Sequence, residues 1–95
     1  MIFAVFFQFG KDEAKIAELR PIHRQYLASL RDQGMLAISG PFMDGSGALL
    51  VYNADAREQV EAMIQADPFT PSGCFVSWTI HPWNVVFTNK SLLPG

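Results

Sequence analysis

The first strand limits most strongly what this chain can fold into. Residues Ile2–Phe9 are almost entirely β-branched and aromatic and are followed by Gly10, a composition that predicts a β-strand. The run does not alternate between apolar and polar residues, so the strand would be apolar on both faces. Such a strand needs a sheet that is covered on both sides, and a chain of 95 residues has little material with which to cover it.

Five main elements follow in the order helix, strand, strand, helix, strand, with one short strand after them. A helical pattern begins at Asp12, and we expect Pro21 to divide it into a short turn before Arg20 and a main helix over residues 21–33, which stops at Gly34. The other predicted elements are strands over 35–39, 48–52 and 75–80, a helix over 56–66 capped by Asp55 with Glu58, and a short fifth strand over 85–88. This order predicts a single α+β domain over residues 1–95, a ferredoxin-like plait (βαββαβ) with two helices on one face of an antiparallel sheet.

Composition excludes several classes of protein. Hydrophobic residues make up 49% of the chain and charged residues 17%, which excludes a disordered segment. The net charge of -2 offers no basic surplus for nucleic acid. No apolar run is long enough to cross a bilayer and no signal-peptide pattern is present, while the single Cys74 cannot form an internal disulfide. We therefore expect a cytoplasmic protein that contacts neither membrane nor nucleic acid.

The chain is rich in large apolar side chains for its size. It contains eight Phe, two Trp and two Tyr, more than a small monomer can bury with ease. Two helices cover only one face of the predicted sheet, and a second copy of the same sheet could cover the other. The sequence therefore predicts a two-fold homodimer formed through sheet faces.

Two polar residues interrupt the apolar stripes of the predicted helices. His23 falls within the arc that contains Ile22 and Leu30, so its imidazole should point at the sheet. Asp67 follows Met63 by four residues and continues the stripe of the second helix. A carboxylate directed inward at a helix C-terminus requires a cation or a strong donor close by.

The plait topology supplies that donor. It brings the start of the first helix, with Arg20 and His23, to the same end of the molecule as Asp67, the Gly40–Pro41 loop and Phe69. One interpretation is a structural hydrogen bond that satisfies two buried groups. The other is an oriented base, because a carboxylate fixes the tautomer of an imidazole that titrates near neutral pH.

The same residues resemble a known family. The pattern is Arg20-Pro21-x-His23-x-x-Tyr26-Leu27, then Gly34, Gly40-Pro41 and Asp67-Pro68-Phe69, and it is similar to that of YciI-like (YCII-related) proteins over residues 2–83. The resemblance implies a dimeric α+β barrel in which His23 and Asp67 match the family's active-site pair. One family enzyme is a dehydrochlorinase acting on a chlorinated hydroxyhydroquinone. Related dimeric barrels include muconolactone isomerases and haem-degrading monooxygenases.

The leading functional hypothesis is a small-molecule enzyme, a lyase of dehydrochlorinase type or an isomerase, acting on an oxygenated ring without a cofactor. His23 and Asp67 would be its catalytic dyad. The predicted substrate-binding residues are Arg20, Gly40, Pro41, Ser46 and Phe69. The alternatives are a non-catalytic ligand-binding or interaction dimer and a haem-binding, monooxygenase-like barrel.

Other reactive side chains are assigned structural roles. His23, Asp67 and His81 lack the local spacing of metal ligands, so no metal site is predicted. His81 ends the fourth strand, where a structural or interfacial role is favoured. Cys74 has no activating base nearby in sequence and is expected to be a buried thiol.

Overall fold

Within residues 1–94, the part of the chain described by the computed structural model, four strands form one antiparallel sheet. The elements are β1 (Ile2–Phe9), α1 (Glu13–Asp32), β2 (Leu36–Pro41), β3 (Gly47–Asn53), α2 (Arg57–Ala66), β4 (Phe75–Pro82) and a short 3-10 turn (Lys90–Leu92). The strand order is β2-β3-β1-β4, with every neighbouring pair antiparallel. This confirms the predicted α+β, ferredoxin-like fold.

The core lies between one face of the sheet and the two helices. Alternate residues of β1, namely Phe3, Val5 and Phe7, are buried in one cluster with the apolar stripes of α1 and α2. The opposite face of the sheet, here called the outer face, carries Phe6, which is 46% exposed. The helices therefore cover only one side of the strand that the sequence predicts to be apolar on both.

The outer face is free of fixed charge. None of the four strands contains Asp, Glu, Lys or Arg. Phe6 contacts Phe42 with ring centroids 6.5 Å apart, and it meets His81 edge-on at 5.9 Å. His81 stands opposite Ala4 in the β1–β4 register and so lies on the sheet face away from the helices.

Helix α1 is continuous, which corrects the predicted break at Pro21. Asp12 caps its start by accepting a hydrogen bond from the backbone N–H of Lys15 at 3.1 Å. Proline removes one hydrogen bond inside a helix, here the bond to the carbonyl of Ala17, but both residues are exposed and water can hydrate that carbonyl. His23 consequently lies in the middle of the helix and not at its start.

The continuous helix also turns Ile22 outward. The buried residues of α1 are Ile16, His23, Leu27 and Leu30, whereas Ile22 is 46% exposed. The predicted stripe was wrong at this position because the buried face is centred on His23 and Leu27, about 100° and about 140° around the helix from Ile22. Neither helix of the described chain combines the length and the apolar character that crossing a bilayer demands.

Two smaller predictions are also corrected. Residues 85–88 form no strand, because an apolar run needs a partner edge to pair with, and the chain leaves the sheet after Trp83 donates to the carbonyl of Ile2. Helix α2 begins at Arg57 without a side-chain cap. Because the helix starts later than predicted, the capping hydrogen bond expected of Glu58 is made by Gln59, whose Oε1 accepts from the N–H of Asp55 at 2.8 Å.

Candidate active site

His23 and Asp67 form a buried hydrogen-bonded pair. Nδ1 of His23 lies 2.8 Å from Oδ1 and 3.0 Å from Oδ2 of Asp67. The histidine is 8% exposed and the aspartate is fully buried. A carboxylate can only accept a hydrogen bond, so the proton belongs on Nδ1 and the lone pair on Nε2. The arrangement leaves Nε2 able to accept a proton.

A tight turn after α2 holds the carboxylate of Asp67. Its Oδ1 also accepts from the backbone N–H of Phe69 at 2.9 Å, and its backbone carbonyl accepts from the N–H of Thr70 at 2.9 Å. The hydroxyl of Thr70 donates to the carbonyl of Ile64 at 2.6 Å, which also accepts from the backbone N–H of Asp67 at 3.2 Å. These donors offset the unfavourable position of an anion at a helix C-terminus.

Phe69 fixes the plane of the imidazole ring by stacking against it. The rings of His23 and Phe69 stack with centroids 3.9 Å apart and planes 8° from parallel, and Phe75 meets the imidazole edge-on at 5.7 Å. The proline of Asp67-Pro68-Phe69 restricts the turn that delivers both the carboxylate and this ring. Stacking and hydrogen bonding together fix the direction in which the imidazole edge points.

His23 lines an open cleft between α1 and β2. The cleft has a volume of about 540 Å³, within the usual range for small-molecule sites. It exists because β2 is an edge strand, leaving space between that edge and the helix. Ala48 and Leu50 of β3 contribute apolar surface to its floor.

The cleft brings together most of the residues that the sequence predicts to form a site. Arg20, His23, Gly40, Pro41 and Phe69 line it. Asp67 is hydrogen-bonded to His23 and does not itself line the cleft.

Ser46 is not brought to the cleft. Its N–H and hydroxyl both donate to Oδ1 of Asp44, at 2.9 Å and 2.7 Å, within the turn between β2 and β3. These hydrogen bonds lower the pKa of the Asp44 carboxyl below its usual value. The backbone of Ser46 lies next to Phe9, whose N–H donates to the Ser46 carbonyl, but the serine side chain stabilises the turn.

Two arginines of the cleft were missed in the sequence. Arg24 and Arg31 lie in its lining together with Arg20. The available signal was spacing, because Arg24 follows Arg20 by four residues and Arg31 follows Arg24 by seven, which places all three on one side of a helix. The predicted break at Pro21 concealed the first relation by separating Arg20 from the main helix.

Two tyrosines, Tyr26 and Tyr52, lie near Asp67. Burial, and secondarily the negative charge of Asp67, raises the pKa of Tyr52 well above its ordinary value, and the same two causes raise the pKa of Tyr26. Tyr26 donates from its hydroxyl to the carbonyl of Met63 at 2.7 Å. The buried hydroxyl of Tyr52 has no hydrogen-bond partner within residues 1–94.

Replacing Tyr52 with phenylalanine should leave the free energy of unfolding at pH 7 unchanged or raise it by up to about 1 kcal/mol, because it removes an unpaired buried hydroxyl. The pKa of Tyr52 is higher in the folded state than its unfolded value of about 10. Above that pH the tyrosine ionises more readily in the unfolded chain, so folding becomes less favourable as pH rises. The parent should therefore lose stability above about pH 10 more steeply than Tyr52→Phe. Urea unfolding as a function of pH measures both effects.

Tyr26→Phe is the matched control, since it removes a hydroxyl that is hydrogen-bonded and should cost about 1 kcal/mol at pH 7. A Tyr52→Phe variant as destabilised as this control would contradict the assignment of an unpaired hydroxyl.

The described residues contain no cluster of three or more His, Cys, Asp or Glu side chains placed to hold a metal ion. His81 lies on the outer face, where its Nε2 is 3.1 Å from the hydroxyl of Thr79. Cys74 is a free, buried thiol. Of these three candidates for chemistry, a metal cluster, His81 and Cys74, none lies in the described lining of the cleft, whereas His23 does.

The chain matches a known protein family. Residues 1–84 match the profile of the YCII-related domain, which confirms the resemblance seen in the sequence. The chain is 33% identical to the uncharacterised protein YjpA of Bacillus subtilis over 63 residues, covering 66% of this chain and 73% of YjpA. It is 26% identical to YciI of Escherichia coli over 98 residues, covering 92% of this chain and all of YciI.

A solved structure shares the fold. It is 5-chloro-2-hydroxyhydroquinone dehydrochlorinase (TftG) from Burkholderia phenoliruptrix AC1100, in complex with 2,5-dihydroxybenzoquinone. The TM-score is 0.78 with 21% sequence identity, covering 88% of this chain and 94% of the dehydrochlorinase. At that identity the likeness establishes a common fold.

Proposed function

We propose that this chain, which belongs to the YCII-related family, is an enzyme that transfers a proton on a small oxygenated ring substrate. The reaction would be a lyase reaction of dehydrochlorinase type or an isomerisation. The observation that carries the proposal is the pair formed by His23 and Asp67, with Nδ1 of the imidazole 2.8 Å from a buried carboxylate oxygen in the wall of a cleft.

His23 acts as the base in this proposal. Its Nε2 takes a proton from the substrate, and Asp67 stabilises the imidazolium that forms while holding the ring in the correct tautomer. In an isomerisation the proton returns to another atom of the substrate. In a dehydrochlorination the C–Cl bond breaks with its electron pair, chloride leaves, and the proton passes to water. Both routes conserve electrons, so the scheme requires no cofactor.

The proposed substrate lies along the cleft between α1 and β2. Arg20 binds its polar end, Gly40 and Pro41 border it on the strand side, and Phe69 supports the imidazole that faces it. Ser46 has no part in this scheme because its hydroxyl is engaged by Asp44.

The structural neighbour supports the choice of substrate class. Its name describes a dehydrochlorinase of a chlorinated hydroxyhydroquinone, and its ligand is a dihydroxybenzoquinone. We extend to this chain only the class, a small ring carrying oxygen substituents, because the two sequences are 21% identical. The cleft volume of about 540 Å³ accommodates a ring of this size.

Screening the purified protein against chlorinated and hydroxylated aromatic compounds tests this function. We expect chloride release or isomerisation by the parent protein and by Glu18→Gln, which alters an exposed residue of α1 outside the cleft lining. The His23→Asn variant should lose that activity. Turnover retained in His23→Asn would place the chemistry elsewhere.

We further propose that the protein works as a homodimer joined through the outer face. The exposed apolar side chains there include Phe6, Ile38 and Phe42, and the strands behind them carry no fixed charge. A second copy of the same face is a suitable cover, because two uncharged apolar faces meet without leaving a charge unpaired.

Phe6→Glu should convert the dimer to a monomer, because it would place two buried carboxylates at the interface. Light scattering at micromolar protein concentration should give twice the mass of 10.6 kDa for the parent and the single mass for the variant. Glu18→Gln, on the exposed side of α1, should remain dimeric. A well-folded parent that is monomeric in this measurement would overturn the dimer.

The proposed location is the cytoplasm. Cys74 is the one cysteine of the sequence and a free thiol in the structure, as is usual for proteins of reducing compartments. Proton transfer on a small metabolite is also compatible with that compartment.

A further inference from the structure

The arginines of this chain fall into two groups. Arg31 pairs with Asp32 at 3.1 Å, and Arg57 pairs with Glu61 at 3.3 Å. Arg20 and Arg24 form no ion pair with any residue from 1 to 94. Both unpaired arginines lie in the wall of the cleft that contains His23, together with the paired Arg31.

Their spacing makes this lack of partners unfavourable. Arg20 and Arg24 lie four residues apart on a continuous helix, where their side chains are neighbours and like charges destabilise the helix. No Asp or Glu stands three or four residues from either arginine. The helix therefore gains nothing locally from placing two cations side by side.

The rest of the cleft is consistent with an anionic ligand. No acidic residue among residues 1–94 lines the cleft, although the whole chain has a net charge of -2. Asp67 is the nearest negative charge assigned to the site, and it is fully buried and hydrogen-bonded to His23 and Phe69. A local surplus of positive charge above an apolar floor attracts an anion whose body is apolar.

We propose that Arg20 and Arg24 together form a receptor for an anionic group, so that the natural substrate is a small ring compound that carries a carboxylate. The carboxylate accepts hydrogen bonds from the two guanidinium groups, and the ring lies over Ala48 and Leu50 toward His23. The assignment of His23 to the reacting end rests on the proposed function. The anion receptor is inferred from the charge and shape of the cleft alone.

Binding of 2-naphthoate and of its neutral counterpart 2-naphthamide, followed by NMR, tests the receptor. The two probes share an aromatic body and differ in charge. We expect naphthoate to bind the parent more tightly and to shift the amide signals of Ala28, Ala48 and Leu50. The affinity for naphthoate should weaken at high ionic strength, whereas that for naphthamide should change little.

Single substitutions assign the effect to the arginines. Arg20→Gln and Arg24→Gln should each weaken naphthoate binding roughly five- to tenfold and leave naphthamide binding unchanged. Arg57→Gln is the matched control, since it removes the same charge from an arginine on α2 that pairs with Glu61, and it should leave both affinities unchanged.

Three results would overturn the receptor. The first is naphthamide binding as tightly as naphthoate, and the second is neither probe binding in the cleft. The third is an equal loss of naphthoate affinity in Arg57→Gln. The His23→Asn variant separates this inference from the catalytic proposal, because it should keep the preference for naphthoate while losing turnover. A preference for the anion in a protein without any turnover would refute only the catalytic proposal.

Discussion

Replacing His23 with asparagine should lower kcat about a hundred- to ten-thousand-fold, the usual contribution of a positioned general base. Asparagine is the informative substitution because its amide nitrogen can occupy the position of Nδ1 and donate to Asp67, which lies 2.8 Å from that atom. The variant then lacks only the outer part of the ring, including Nε2. Alanine would also leave a buried carboxylate without its partner and would confuse loss of base with loss of stability.

The measurement compares kcat and KM of His23→Asn with those of the parent on a substrate found by the screen. The variant should keep a similar KM, because Arg20 and the apolar floor of the cleft are unchanged. Glu18→Gln controls for a general effect of substitution in α1, since Glu18 is exposed and does not line the cleft. Full activity in His23→Asn would mean that the buried pair serves only the fold.

The pairing of His23 with Asp67 was predictable from the sequence because each interrupts an apolar stripe. A polar side chain that points into a core must find a partner, and the order of strands and helices left few ways to bring the two together. The hydrogen bonds of 2.8 Å and 3.0 Å confirm that reasoning. The predicted position of His23 at a helix start was nevertheless wrong, and the pairing survived because it depends on the face of the helix.

Other features depend on solvent exposure and on hydrogen-bond partners, which the spacing of apolar residues does not predict. Whether Pro21 breaks a helix is decided by the solvent exposure of the carbonyl it leaves free, and local sequence does not report that exposure. The separation of Ser46 from the cleft follows from its hydrogen bonds to Asp44, which compete with any ligand. The buried hydroxyl of Tyr52 became apparent only in the packed core, because its strand position predicts burial but not the lack of a partner.

The two proposed binding surfaces, the cleft and the outer face, differ in how much of each could be predicted from the sequence. Spacing could place Arg20 near His23, but the significance of Arg24 required the cleft and the missing carboxylates to be seen together. The outer face, in contrast, could be predicted largely from the sequence. Its uncharged strands can be read directly from the sequence, and the exposed side chain of Phe6 adds the reason for a partner.

Asp67→Asn should reduce kcat roughly a hundred- to a few-thousand-fold, no more than His23→Asn does, by changing which nitrogen of His23 carries the proton. In the parent, Oδ1 accepts from both Nδ1 of His23 and the N–H of Phe69, and Oδ2 lies 3.0 Å from the same Nδ1. An asparagine amide must place its NH₂ group at one of these positions. Facing Phe69 it meets another donor, so it should face His23.

The imidazole can satisfy that NH₂ group only by accepting at Nδ1, which moves its proton to Nε2 and removes the base from the cleft. Nitrogen-15 NMR of His23 should therefore show Nε2 unprotonated in the neutral ring of the parent and protonated in Asp67→Asn. Asp44→Asn is the control, because Asp44 accepts hydrogen bonds in an exposed turn away from the cleft. An Asp67→Asn protein with parental turnover and an unprotonated Nε2 would show that the carboxylate does not position the base, and the dyad would then have to be regarded as part of the core alone.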